Sequence, residues 1–418
     1  MPSFLNLRIG FFLAKRQIKR SNPWTTTLII FVLFFTFLNL VVVSGILIGL
    51  IQGAVDAVKL HYMSDIIISN LSDKTYIENS PEVIGIIKSL PQVDALTARY
   101  LQGGTVEANY KTKIKDTDKS DVANASVAGI DPVAEDNVTN LSKFVVEGKY
   151  LEPGDYDQVL LGAYLDKKYM PVDSPGFSTL SNVFAGSKIR LKVGNVTREV
   201  TIKGIVKAKV DEVSMRIYMP DAQFRSMIGR SDYNVSEISI KLKPGANPDL
   251  VRDILKADGV DKVAKVQTFN EGEPKFVKDM QNTFALLGNI LSSIGLVVAS
   301  ITIFIVIFIN AITRRKFIGI LKGIGISEQA IEISYVLQSF FYAFCGSVVG
   351  LMVLYAFLQP AIAAHPIDFP FSDGILVAPI GGTMLRIGLL MVTTIIAGFI
   401  PARLVVRKNT LDSILGRN

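Results

Sequence analysis

Four long apolar blocks, spaced very unequally, constrain this chain more than any other feature. They cover residues 28–51, 286–312, 331–358 and 383–400. Each is long enough to cross a hydrocarbon core of ~30 Å as a helix. More than two hundred mostly polar residues separate the first block from the second, and the last three follow in quick succession. Segments this long and this free of charge do not suit the core of a soluble bundle. A chain of 418 residues with positive mean hydropathy has room for four spans and one water-facing domain.

Charge placement orients the layout. The stretch up to Trp24 carries Arg8, Lys15, Arg16, Lys19 and Arg20 and no acid. The segment between the second and third blocks carries Arg314, Arg315, Lys316 and Lys322 against Glu328, and the tail carries Arg403, Arg407, Lys408 and Arg417 against Asp412. Together these three segments hold more net positive charge than the whole chain's +7. Residues 361–382 contain no Lys or Arg. This positive-inside pattern puts both termini and the segment 314–329 in the cytoplasm, in a multi-pass protein of the plasma (inner) membrane. With the basic excess confined to membrane-flanking segments, nucleic acid is not expected as a partner. The fold class is therefore a four-helix transmembrane protein with a large extracytoplasmic α+β domain inserted between the first and second spans.

Phe4, Leu7, Phe11, Ala14 and Ile18 recur at helical spacing while Arg8, Lys15 and Lys19 take another face. Residues 1–24 are thus expected as an amphipathic helix on the inner membrane surface, in contact with lipid. Helical pattern persists past the first block to His61, and a helix over 28–61 would be about 50 Å long at ~1.5 Å per residue. After Pro274 the pattern is again helical, so two helices are expected to leave the bilayer as a stalk. Between them, strands are expected near 65–69, 127–130, 159–161, 188–193, 200–206, 217–219 and 237–242, and helices at 81–90, 221–228 and 248–257. Gly194-Asn195 between two alternating runs marks a hairpin. The segment from Pro81 through Val93-Asp94-Ala95-Leu96 aligns without a gap on that from Pro248 through Val260-Asp261-Lys262-Val263. Each reads as a helix begun at Pro, a turn and a strand. Two similar halves with a strand-rich insertion over about 127–233 would explain the echo.

The residues needed for several chemistries are missing. The sequence contains no GxxxxGK[ST] phosphate loop, its only histidines are His61 and His365, and its single cysteine, Cys345, falls in the third block. No zinc cluster and no Cys/His pair can be built from these, and no enzymatic centre is expected in this chain.

The cytoplasmic segment 314–327, Arg-Arg-Lys-Phe-Ile-Gly-Ile-Leu-Lys-Gly-Ile-Gly-Ile-Ser, is more informative. Phe317, Ile320, Leu321 and Ile324 share one helical face, more apolar surface than a connecting loop needs, and such a face suits docking. The small-residue pairs Gly45-xxx-Gly49 in the first block and Gly346-xxx-Gly350 in the third permit close helix packing.

Ile318-Gly319-Ile320-Leu321-Lys322, Gly325 and Ser327 resemble the coupling segment of FtsX/MacB/LolC-type ABC transporter permeases, with Phe317 where that family usually has Glu. Leu337-Gln338-Ser339, the ending Pro401-Ala402-Arg403 followed by Leu411-Asp412-Ser413-Ile414-Leu415, and Ile367-Asp368-Phe369-Pro370-Phe371 are similar to other family stretches, the last to the lipoprotein-releasing branch. Thr410 stands where a Pro is common. The resemblance implies a dimer with a second copy or a paralogue, its seam expected at Gly45 and Gly49 of the first span, and each permease docked to a cytoplasmic ABC ATPase. ATP and Mg would be bound and hydrolysed by that separate subunit, with no cofactor in this chain. Contact with the ATPase would run through Arg315, Lys316, Ile318, Gly319, Leu321, Lys322, Gly325 and Ser327. Closure of the ATPase pair would move the outer domains, by mechanotransmission, to export or extract a lipoprotein, peptide or amphiphile. The alternative is an FtsX-like regulator that signals to an extracytoplasmic partner such as a cell-wall hydrolase. An extracytoplasmic adaptor or substrate protein would complete the partners. The expected organisation is a surface helix (1–24), first span and stalk (25–62), outer domain (63–274), and second stalk and span (275–313). The coupling segment (314–329), third span (330–360), outer loop (361–382), fourth span (383–402) and tail (403–418) follow.

Overall fold

The structure, a computed structural model, describes residues 4–111, 121–170, 178–369 and 372–407. Pro370, Phe371, Thr410 and Leu411 to Leu415, named above for their resemblance, lie outside these. The chain divides into two compact units, one of Met1–Ile51, Asp279–Asp368 and Asp373–Asn418, the other of Gln52–Lys278 with Phe369–Ser372.

The first unit is built on helices. Pro23–Met63, Val277–Thr313, Glu328–Ala364 and Ile380–Val406 are long and apolar enough to cross a membrane. The α-helices containing the first two spans, Pro23–Val58 and Lys275–Thr313, are about 54 and 58 Å long at ~1.5 Å per residue. Both outrun a ~30 Å hydrocarbon core. Their shared core takes Leu33 and Phe37 from the first span, Ile303 and Ile307 from the second, Tyr342 from the third and Leu390 from the fourth. Small residues set the crossings, as expected where lipid supplies no hydrophobic drive between helices. Gly346 and Gly350 of the third span lie against Leu33 and Phe37 of the first, and Gly398 of the fourth receives Ser339 of the third. Ser44 and Ser292 share a hydrogen bond at 2.8 Å between the first and second spans.

The dimer seam expected at Gly45 and Gly49 is corrected. Both glycines are buried by residues 375–377 of the same chain. The Val377 N–H donates to the Gly45 carbonyl at 3.2 Å. A Cβ on Gly45 would stand 2.7 Å from Leu376 Cδ1, and one on Gly49 would overlap the Ile375 carbonyl oxygen. The close approach that glycine permits is used inside the chain, by the extended run that enters the fourth span.

Among its described residues the second unit holds ten strands: β1 (Ile66–Asn70), β2 (Val93–Ala108), β3 (Asp121–Ile130), β4 (Val145–Gly148), β5 (Gln158–Gly162), β6 (Lys188–Val193), β7 (Val196–Val206), β8 (Arg216–Pro220), β9 (Glu237–Leu242) and β10 (Ala264–Thr268). In one lobe the order is β10-β1-β9-β2, all antiparallel. The helix Ser80–Ser89 joins β1 to β2 and the helix Pro248–Ala257 joins β9 to β10. This is the split β-α-β arrangement called ferredoxin-like, and the two Pro-led segments occupy its two equivalent places. They differ in detail. Val93 opens β2, whereas Val260–Lys262 forms a 3₁₀ turn after Gly259 at φ +86°, and the second strand starts only at Ala264.

The other lobe is a closed barrel. β2 pairs β3, then β8, β5, β7 and β6 follow, and β6 returns to β2. Alternate residues, among them Val106, Val127, Leu161, Leu191, Ile202 and Ile217, fill its interior. The strand β2 serves both lobes, pairing β9 up to Arg99 and β3 from Tyr100 onward. The barrel thus begins upstream of the expected limit at residue 127. Gly103-Gly104 hid this strand in the sequence. A Cβ on Gly104 would come 2.8 Å from the Lys192 carbonyl of β6, so the crossing requires glycine.

Candidate functional site

Residues Arg315–Gly323 form a short helix between the second and third spans. The chain turns at Gly325, whose φ of +90° is the left-handed conformation that favours glycine. Ser327 then caps the third span, its Oγ accepting the Ala330 N–H at 3.3 Å, and Glu328 sits in the first turn, where the helix dipole favours an acid.

One side of this short helix is held by the bundle. Ile318 and Gly319 are buried, and Leu321 packs on the four-helix core. Lys322 Nζ donates to the Val406 carbonyl at the end of the fourth span at 3.0 Å and pairs with Glu328 Oε1 at 2.6 Å. A cation at a helix C-terminus satisfies an orphan carbonyl and suits the dipole. Lys322 therefore ties the short helix to both the third and fourth spans. The other side is bare. Phe317, Ile320 and Ile324, spaced i, i+3 and i+7, are 67%, 51% and 71% exposed. Lys316 is exposed beside them, and Arg314 and Arg315 are half-buried.

Of the residues taken from the family resemblance, Ile318, Gly319, Leu321 and Lys322 hold the helix in place, while Gly325 and Ser327 shape its exit. Lys316 remains on the surface. The outward face belongs to Phe317, Ile320 and Ile324, which helical periodicity singled out and the motif did not. Periodicity also grouped Leu321 with them, and the structure turns it inward.

The helix Phe4–Lys19 braces the same exit turn. Ser327 Oγ donates to Asn6 Oδ1 at 2.8 Å, and Asn6 Nδ2 donates to Gln329 Oε1 at 3.1 Å. Gln338 Nε2 donates to Gln17 Oε1 two and a half turns farther along the third span. Gly10 and Ala14 are buried between these contacts, and a Cβ on Gly10 would meet Ile333 Cγ2 at 2.7 Å.

A second constellation lies in the outer unit, where the first long helix ends in the π-turn Lys59–Met63. Arg99, 1% exposed, meets Glu135, 2% exposed, through Nε–Oε2 and Nη2–Oε1 contacts of 2.8 and 2.7 Å. Arg99 Nη1 and Arg216 Nη1 both reach Glu237 Oε1 at 2.9 Å. Arg99 Nη2 donates to the Tyr62 carbonyl at 3.1 Å, and Tyr62 Oη donates to Glu237 Oε2 at 3.2 Å. Burial pushes the Glu237 carboxyl up, but the Arg216 and Arg99 guanidiniums outweigh it and hold the group at about 2. Two cations and two anions close this network, which joins the π-turn to β2, β8, β9 and the helix Pro132–Thr139. Sequence reasoning did not find it. Among the described residues, no three His, Cys, Asp or Glu side chains stand together as a metal site.

Comparison with known proteins places both parts. The family model for the MacB-like periplasmic core domain matches residues 31–258, more than half of the chain, and that for the FtsX-like permease C-terminal region matches residues 289–410. The macrolide export ATP-binding/permease protein MacB of Pasteurella multocida (strain Pm70) is 24% identical over 280 residues, 64% of this chain and 40% of that protein. Its counterpart in Campylobacter jejuni subsp. jejuni serotype O:23/36 (strain 81-176) is 22% identical over 293 residues, 66% of this chain and 43% of that protein. The chain thus spans about two fifths of the length of these curated relatives. Among solved structures, the periplasmic region of MacB from Actinobacillus actinomycetemcomitans aligns with a TM-score of 0.37 at 14% identity, covering 51% of this chain and 92% of that one. The extracellular domain of the transporter YknZ from Gram-positive bacteria aligns with a TM-score of 0.31 at 15% identity, covering 49% and 98%. The chain belongs to the FtsX/MacB-type family of ABC transporter permeases, inner-membrane proteins, with its extracytoplasmic α+β domain inserted between its first and second spans.

Proposed function

We propose that this chain is the permease subunit of a dimeric ABC exporter and that the short helix Arg315–Gly323 receives its cytoplasmic ATPase. One observation carries the reading: Phe317, Ile320 and Ile324 stand bare on a helix whose opposite side is tied to the third and fourth spans. Apolar side chains at a water-facing turn lose little by being covered, and an anchored helix moves its anchors when it is gripped. A ligand shifts a conformation only through differential affinity, so the ATPase must hold this face differently when its ATP-bound pair closes. The movement passes to the outer domains along the two helices that outrun the bilayer, and both termini lie in the cytoplasm. ATP and Mg are bound by the ATPase subunit, and a second permease copy or paralogue completes the pair. The name of the curated relatives, macrolide export proteins, supports export or extraction of an amphiphile, peptide or lipoprotein from the outer side.

The test is co-purification of the full chain with a cytoplasmic ABC ATPase subunit expressed alongside it. Phe317→Glu with Ile320→Glu should abolish retention of the ATPase while the permease keeps its thermal transition. Undiminished ATPase binding and stimulation by the double variant would sink the docking assignment.

A further inference from the structure

The helix Phe4–Lys19 has an inner side, described above, and an outer side that the bundle leaves bare. At 100° per residue, Phe4, Arg8, Phe11, Phe12, Lys15 and Lys19 fall within an arc of about 100°. All six are exposed. The helix contains no Asp or Glu. Rings and cations interleaved on one arc suit neither water, which leaves the rings uncovered, nor hydrocarbon, which leaves the cations unpaired. They suit the boundary where acyl chains meet headgroups, with the rings below the phosphates and the cations among them. Three basic side chains and no acidic one on so short a face favour a lipid that carries net negative charge.

We propose that this face binds anionic phospholipid, and that the lipid-held helix braces the coupling helix through Asn6. Asn6 bonds Ser327 and Gln329, the cap and the second residue of the third span, just past the turn at Gly325. Anchoring the helix Phe4–Lys19 in the headgroup layer holds that exit turn through these two hydrogen bonds. The lipid contact stands without the ATPase reading, and the bracing role rests on it.

The chain's single tryptophan makes the lipid contact measurable. Trp24 is exposed just past the end of this helix, and its backbone N–H donates to Asn22 Oδ1 at 3.0 Å. The full chain is placed in phosphatidylcholine–phosphatidylglycerol vesicles with bromine on one lipid or the other at equal mole fraction. Brominated phosphatidylglycerol should quench Trp24 about twofold more than brominated phosphatidylcholine. Arg8→Gln, Lys15→Gln and Lys19→Gln together should remove the preference. Equal quenching by the two lipids in the unsubstituted chain overturns the lipid site, as does loss of the preference when the partner ATPase is added, which would assign the face to protein. For the brace, amide exchange over residues 324–329 should slow about tenfold in anionic relative to zwitterionic vesicles. Asn6→Leu should erase that difference while leaving the quenching preference intact. Exchange independent of lipid charge in the unsubstituted chain overturns the brace and leaves the ATPase docking face untouched.

Discussion

Replacing Arg99 with Met strands a carboxylate. Among the described residues Arg99 is the only ion-pair partner of Glu135, and both side chains are almost wholly buried. Glu237 keeps Arg216 at 2.9 Å, but Glu135 keeps only the hydroxyls of Thr97 and Thr139, at 2.8 and 3.2 Å. The methionine fills most of the volume of the arginine stem, so the dominant effect is the uncompensated charge. Breaking a buried pair on one side costs about 3–5 kcal/mol. That corresponds to a roughly hundred- to few-thousand-fold rise in local opening at ~1.4 kcal/mol per decade. Native-state hydrogen exchange of the full chain in detergent, read on β2 and the helix Pro132–Thr139, measures it directly. Adding Glu135→Gln to Arg99→Met removes the stranded charge and should recover most of the loss, to within about 1 kcal/mol of the starting protein. A double variant as labile as the single one, or a single variant losing less than about 1 kcal/mol, would show that Glu135 is not held by Arg99 as described.

The Glu237 carboxyl sits at about 2 in the folded protein against an ordinary 4.5. A depressed carboxylate contributes stability that is full above the unfolded value and is lost as pH falls. The outer unit should therefore lose about 3 kcal/mol between roughly pH 4.5 and 2, and Glu237→Gln should flatten that part of an acid titration followed by circular dichroism. Lys322→Met removes the tie to Val406 and Glu328 and should speed exchange over Arg315–Gly323 by about fivefold, from about 1 kcal/mol of lost hydrogen bonding. Lys322→Arg should restore most of it. Gly49→Ala drives a methyl into the Ile375 carbonyl and should lower the stability of the helical unit by about 1–3 kcal/mol in a melt followed by Trp24 fluorescence. Gly288→Ala, whose new methyl finds its nearest neighbour, Leu47 Cδ1, at 3.5 Å, should be neutral or gain up to about 1 kcal/mol of helix propensity. Equal losses from the two glycine changes would contradict the packing around residues 375–377.

The split of what was readable follows range. The four spans and the inserted domain rest on composition within single segments, and each segment's apolarity alone decides whether it enters lipid. The twin Pro-led helices were also legible, since Pro fixes a helix start locally. The face formed by Phe317, Ile320 and Ile324 was visible as periodicity.

Other features needed the folded path. Periodicity could not tell that Leu321 turns toward the bundle while its neighbours turn away, because that depends on where the third and fourth spans lie. Gly45 and Gly49 announced a close approach without naming the partner, and the partner is residues 375–377 rather than a second chain. The barrel stayed hidden because β2 is broken in pattern by Gly103-Gly104 and is completed only when β6 returns to it.

The sequence by itself determined the number and order of the helical spans and the place of the inserted domain. Apolar burial in a bilayer is a property of a segment, so these could be read segment by segment. The tertiary structure alone decided which charges are neutralised. Arg99 finds Glu135 and Glu237, 36 and 138 residues away in sequence, only because β2, β9 and the helix Pro132–Thr139 meet where the first long helix ends. A buried ion pair is defined by geometry in three dimensions, and no local pattern encodes it.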